Sequence, residues 1–93
     1  MVYINLRLNL EDYGKWRAGF DANDSFRRAG GSTGVYQVYR DVDNPNAVSL
    51  ILEWKDAEKA QAFLNDPMLK QVMQAAGVIG APVLRAVQSR MLA

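Results

Sequence analysis

Residues 47–54, AVSLILEW, are apolar at six of eight positions. The run is strand-length, lies between Asn44-Pro45-Asn46 and Asp56, and sets Val48, Leu50, Leu52 and Trp54 on one face with Ile51 on the other. Such a strand calls for apolar cover on both faces. That demand limits what a chain of 93 residues can become, because so short a chain has few elements with which to meet it.

The remaining elements follow from period and punctuation. Residues 2–10 alternate, with Val2, Ile4, Leu6, Leu8 and Leu10 on one face and Tyr3, Asn5, Arg7 and Asn9 on the other. Residues 35–42 pair with 47–54 as a hairpin around Asp43-Asn44-Pro45-Asn46. A helix is predicted over 11–29, with Glu11 and Asp12 at its positive end. Gly14 and Gly19 each weaken it by roughly 1 kcal/mol relative to alanine, so the stripe Tyr13, Trp16, Phe20 must hold it in place. The helix is read as continuous or kinked. The alternative is a new cap at Asn23-Asp24-Ser25 and a short second helix from Ser25. Residues 30–34 form a loop. Asp56 caps a helix over 57–64 with Ala60, Phe63 and Leu64 on its apolar face. Asp66-Pro67 starts another, striped by Leu69, Val72, Met73 and Ala76 and stopped by Gly77. Residues 77–82 read as a loop into a last strand over 83–91.

The order is β-α-β-β-α-β with the second helix broken, which predicts a ferredoxin-like α+β sandwich occupying 1–93 as one domain, its four-stranded antiparallel sheet covered by helices on one face. The helices leave the second face of 47–54 bare. A second copy packed sheet to sheet would cover it, so a homodimer is expected.

Composition then removes whole classes of function. Eleven basic and ten acidic side chains give a net charge of +1 with no block of either sign, so neither nucleic acid nor a membrane surface is an expected partner. No apolar run approaches the roughly 20 residues of a membrane span. The alternating first ten residues do not read as a signal peptide, and a cytoplasmic location is expected. The chain has no cysteine and no histidine. Disulfides, the usual zinc sites, thiolate nucleophiles, Ser-His-Asp triads and haem held by histidine or cysteine are therefore unavailable to it. No cofactor and no metal are expected. A general acid or base would be a carboxylate, lysine, tyrosine or water.

The chain resembles members of the dimeric α+β barrel superfamily, near its antibiotic-biosynthesis-monooxygenase-like branch, and within it a group of small bacterial proteins some of which are labelled cyclase. The resemblance spans nearly the whole chain. It rests on Tyr13-x-x-Trp16-x-x-x-Phe20-Asp21, Arg27, Gly30, Arg40, Asn44-Pro45-Asn46, Trp54-Lys55-Asp56, Phe63, Pro67 and the run 73–82, MQAAGVIGAP. It implies a site between sheet and helices, with the barrel interior as dimer core. Two departures are visible. The similar proteins often carry histidine where this chain has Asn23, and the tryptophan and histidine of haem-degrading members fall on Phe63 and Met73. Haem degradation is not expected.

The candidate residues divide accordingly. Trp16, Phe20, Phe63 and Met73 are either helix–sheet core or the wall of a cleft. Asn23 and Arg27 continue the face of Tyr13, Trp16 and Phe20 by one and two turns. Asn23 is a cap, a solvent-facing amide or a site residue. Arg27 is a solvated cation near the helix C-terminus or a group at the cleft mouth. Arg40 is either an ion-pair partner of Asp41, Asp43 or Glu53, or a second cation at that mouth. Tyr36 shares the face of Arg40, and Tyr39 lies on the other. Asn5 and Arg7 are cavity groups or members of an interface network. The site reading makes Asn23 and Arg40 catalytic and gives ligand binding to Trp16, Phe20, Arg27, Tyr36, Phe63 and Met73. The function expected is a cofactor-independent monooxygenase or cyclase-like enzyme acting on an aromatic or polyketide-like small molecule. The alternative is a non-catalytic binding or assembly homodimer.

Overall fold

A computed structural model describes residues 1–88. The elements run β1 (Val2–Leu10), α1 (Tyr13–Ala22), α2 (Asp24–Ala29), β2 (Ser32–Arg40), β3 (Ala47–Trp54), α3 (Ala57–Leu64), α4 (Pro67–Ala75) and β4 (Val78–Gln88). All pairings are antiparallel and the strand order is β2-β3-β1-β4, so the alternating strand and the apolar strand lie side by side in the middle. Their register sets Leu6 opposite Leu50 and Leu8 opposite Val48. The result is the ferredoxin-like α+β sandwich expected from the sequence.

The helices close over one face of this sheet. Val2, Ile4, Leu6, Leu8 and Leu10 of β1 and Val48, Leu50, Leu52 and Trp54 of β3 are buried beneath Trp16, Phe20, Ala60, Phe63, Leu69 and Ala76. Each aliphatic side chain so buried contributes about 1.5–3 kcal/mol relative to exposure. Caps fix the helix starts. Asp12 accepts from the Lys15 N–H, Asp56 from that of Lys59 and Asp66 from that of Met68. Asn46 of the hairpin turn accepts from the Tyr13 N–H at 2.9 Å, which joins that turn to the start of α1.

Three boundaries differ from the sequence reading. The helix over 11–29 is two helices, α1 and α2, separated at Asn23. β2 begins at Ser32, inside the stretch read as a loop, and Ser32 pairs with Trp54. Residues 78–82, also read as loop, belong to β4. The register between β1 and β4 shifts between Arg7 and Asn9, and Gly80 in that bulge has a φ of +71°. Because β4 is an edge strand, it tolerates Gly80 and Pro82, residues that elsewhere mark turns. The part of the expected last strand over 89–91 lies outside the described residues.

Among the described residues nothing covers the second face of the sheet. It carries Tyr3, Asn5, Arg7, Ile51 and Glu53, with Val35 (58% exposed), Tyr39 (53%), Ile79 (47%) and Val83 (60%). Asn5 and Arg7 are thus remote from the helix side. Arg7 bonds Asp41 through both terminal nitrogens and the Ser49 hydroxyl at 2.9 Å.

Candidate functional site

The site starts from the interruption of the first helix. At Asn23 the backbone leaves helical geometry (φ −98°, ψ 16°), and its N–H is shared between the Gly19 and Phe20 carbonyls at 3.1 and 3.2 Å, leaving both free to accept a second donor. The Asn23 side-chain amide donates to the Gly19 carbonyl at 2.8 Å. Arg27, one turn further on, donates from Nη1 to the Phe20 carbonyl at 2.7 Å. Both polar residues of the aromatic face therefore finish α1.

They also edge a cavity. Between α1, α2, α3, α4 and the sheet lies a space of about 60 Å³. Leu6, Leu8, Leu50 and Leu52 form its floor, Trp16, Phe20, Phe26 and Phe63 its aromatic walls, and Leu69, Val72, Met73 and Ala76 its α4 side. Asn23 and Arg27 are its polar lining residues. The half-buried lining residues, Asn23, Phe26, Val72 and Met73, belong to the α1–α2 break, α2 and α4, so the mouth opens between these helices. At roughly 10–15 Å³ per water, the space as it stands holds a few water-sized groups.

The aromatic walls fall into two groups, one on α1 and one around Phe63. Trp16 and Phe20 are stacked with centroids 5.0 Å apart, and Phe63 lies 4.5 Å from Trp54 and 5.4 Å from Phe26. Arg27 is 7% exposed, and its guanidinium carbon stands 3.7 Å from the Phe20 ring centroid. Burial pushes this guanidinium below its ordinary pKa, and Asp24 opposes the change. Asp24 is a distant counter-ion at 3.7 Å, and it also accepts from Arg28 Nε at 2.7 Å.

Six of the eight candidate residues thus meet at one cavity: Trp16, Phe20, Asn23, Arg27, Phe63 and Met73. Tyr36 and Arg40 do not line it. Tyr36 stands outside Phe20, edge-on at 5.0 Å, and its hydroxyl accepts from Arg17 at 3.0 Å. Arg40 lies over the Tyr13 ring at 3.9 Å and donates to the Pro45 carbonyl at 3.1 Å. The ion pair expected of Arg40 is absent among the described residues: Asp41 is taken by Arg7, and Glu53 accepts from the Thr33 hydroxyl. The sequence reading missed Phe26. Its position one residue before Arg27 was the available signal, but the turn at Asn23 had to be known before its direction could be read.

The arrangement can surround an apolar body and set one positive charge against it. Among the described residues no carboxylate, lysine or tyrosine lines the cavity, so these walls offer no side-chain proton acceptor of those types. Among the described residues, no group of three or more acidic, histidine or cysteine side chains is gathered to hold a metal ion, and no helix is long and apolar enough to cross a membrane.

No family model and no curated protein matches the sequence. Solved structures do match the fold. SnoaB, a cofactor-independent oxygenase from Streptomyces nogalater, superposes with a TM-score of 0.73 at 16% identity, covering 98% of this chain and 94% of that one. A Bordetella bronchiseptica protein provisionally named an antibiotic biosynthesis monooxygenase gives 0.72 at 14% identity, covering 97% of each chain. Rv0793 from Mycobacterium tuberculosis gives 0.67 at 15% identity, covering 99% and 97%. At these identities the likeness establishes the fold. The chain has the α+β fold found in antibiotic biosynthesis monooxygenases, as the resemblance implied.

Proposed function

We propose that the chain is a cofactor-independent monooxygenase or cyclase-like enzyme acting on an aromatic or polyketide-like small molecule bound between sheet and helices. The observation that carries this reading is the cavity walled by Trp16, Phe20 and Phe63 with Asn23 and Arg27 at its edge. The shared fold with SnoaB, described as a cofactor-independent oxygenase, supports the reaction class. For the oxygenase reaction, an activated methylene group and one molecule of dioxygen would give a ketone and one molecule of water. The methylene carbon loses both hydrogens to that water, gains one oxygen atom, and supplies all the electrons. The protein's part is to exclude water and stabilise negative charge on the substrate oxygen, with Arg27 the nearest cation and Asn23 beside it. Arg40, on the far side of Tyr13, would act only by holding that ring and the hairpin turn.

The test is oxygen uptake with an anthrone or electron-rich quinol, followed by product analysis. Consumption faster than in a protein-free control, reduced in Asn23→Ala, is the expected result. Rates equal to the control, unchanged by Asn23→Ala, would refute the enzyme.

A second reading is a non-catalytic binding or assembly homodimer. It is favoured by the double use of Asn23 and Arg27 as partners of α1 carbonyls. A tight ligand recovered without turnover would support it. Both readings share the homodimer, in which a second copy covers Val35, Tyr39, Ile79 and Val83.

A further inference from the structure

We propose that the cavity takes its ligand as an anion, with a phenolate or carboxylate oxygen set against Arg27 and a single apolar ring entering from the mouth toward Trp16, Phe20 and Phe63. This rests on the reading of the cavity as a ligand site and names the charge state of what enters it. The half-buried Phe26, Val72 and Met73 must part to admit the ring, because the space of about 60 Å³ holds only a few water-sized groups.

Three observations lead here. The first is hydrogen-bond capacity. A guanidinium carries five N–H donors, and among the described residues Arg27 makes one hydrogen bond, to the Phe20 carbonyl. Its approach to Asp24, 3.7 Å, is too long for another. No side-chain nitrogen among the described residues is both sealed from solvent and unpartnered, so the unused donors of this buried residue keep a path to water or to a ligand.

The second is charge balance. Among the described residues, Arg27 is the only ionisable one lining the cavity, and all the others except Asn23 are apolar. A cation in such surroundings acts at low effective dielectric, where its attraction for an anion is several-fold stronger than in water. A neutral ligand would leave Arg27 with only the distant Asp24, 3.7 Å away and shared with Arg28, as counter-ion among the described residues. A cationic ligand would be repelled.

The third is proton transfer. With no carboxylate, lysine or tyrosine among the described residues of the cavity wall, a ligand that needed deprotonation inside would meet no side-chain base of those types there. A ligand acidic enough to arrive ionised avoids the difficulty. The guanidinium lying over Phe20 at 3.7 Å puts the charge beside the aromatic wall, which suits an oxygen attached directly to a ring.

The probe is 4-nitrophenol, whose visible absorption distinguishes phenol from phenolate, with 4-nitroanisole as the neutral analogue. The bound nitrophenol should titrate at least one pH unit below the free compound, a tenfold or greater preference for the phenolate. Nitroanisole should bind at least tenfold more weakly than the phenolate. In Arg27→Met the bound pKa should return to, or rise above, the free value. If the wild-type bound pKa is unchanged or raised while nitroanisole binds as well, the anion proposal is overturned and the aromatic site stands. If neither probe binds, both are overturned. Should Arg27→Met fail to fold, the wild-type titration decides alone.

Discussion

Arg27 and Phe20 meet twice. The guanidinium donates to the Phe20 carbonyl at 2.7 Å, and its central carbon lies 3.7 Å from the centroid of the Phe20 ring. One buried side chain thereby adds a charged donor to a helix-end carbonyl and covers an aromatic face of the cavity.

Arg27→Met should lower unfolding stability by about 1–3 kcal/mol, since the Phe20 carbonyl loses its charged donor. Arg28→Met makes the comparison, because Arg28 is exposed and its pair with Asp24 is worth at most about 1 kcal/mol. Urea denaturation of the two variants should separate them. Equal losses would show that the Arg27–Phe20 bond contributes no more than a surface pair.

Met73→Ala should enlarge the cavity at its mouth. Met73 is half-buried, so the cost should lie near the lower end of the roughly 2–5 kcal/mol seen for such truncations. Two-ring aromatic ligands should then bind more tightly than to the wild type, read by quenching of the buried Trp16. Weaker binding would mean that Met73 contacts the ligand more than it obstructs it.

Gly30→Ala tests the packing behind the aromatic wall. The φ of −84° at Gly30 suits alanine, yet an added Cβ would come within 2.7 Å of Phe63 Cδ1. Phe63 is bounded by Trp54 and Phe26, so the ring must shift toward the cavity, at a cost of about 1–3 kcal/mol. A lower Tm with altered tryptophan fluorescence is expected. An unchanged Tm would show that Phe63 yields freely.

Much of this was legible in the sequence because burial there follows a simple period. Val2 to Leu10 alternate in the structure as in the sequence, Val48, Leu50, Leu52 and Trp54 share one face, and Asp56 and Asp66-Pro67 begin their helices. Asn23 was harder, since asparagine serves equally as kink, cap or surface residue, and which it is depends on Gly19 and on Arg27 reaching back. Arg27 stood open between a solvated cation and a group at the cleft mouth, because its counterpart is a backbone carbonyl, which leaves no sequence signature. Gly80 and Pro82 looked like loop because an edge bulge and a turn use the same residues.

Asp41→Asn should remove an acid-sensitive contribution from the open face. Its hydrogen bond to Arg7, helped by the charge, holds the Asp41 carboxyl below its ordinary pKa. A carboxyl depressed on folding stabilises above its unfolded pKa, about 3.9, and that gain is lost as pH falls through the folded value. Arg7, raised by the same contact, keeps its charge throughout this range. Wild type should therefore exceed Asp41→Asn in stability at neutral pH, the gap closing in acid. A gap independent of pH would assign the difference to packing.

Ile51→Glu should separate assembly from the cavity. Ile51 lies on the open face of central strand β3, opposite Asn5 and Gln37, with Glu53 two residues along on the same face. In a lone copy a glutamate there reaches water, and the change should cost no more than about 1 kcal/mol. Between two packed faces, two added carboxylates beside two Glu53 side chains would lose hydration without gaining partners, which disfavours association strongly. Wild type is expected to sediment as a dimer at micromolar concentration, and Ile51→Glu as a folded monomer with unchanged far-UV dichroism. Nitrophenol binding should persist in the variant, because the cavity lies on the opposite side of the sheet. A wild type that sediments as a stable, folded monomer would remove the homodimer and leave the exposed Val35 and Val83 needing another partner.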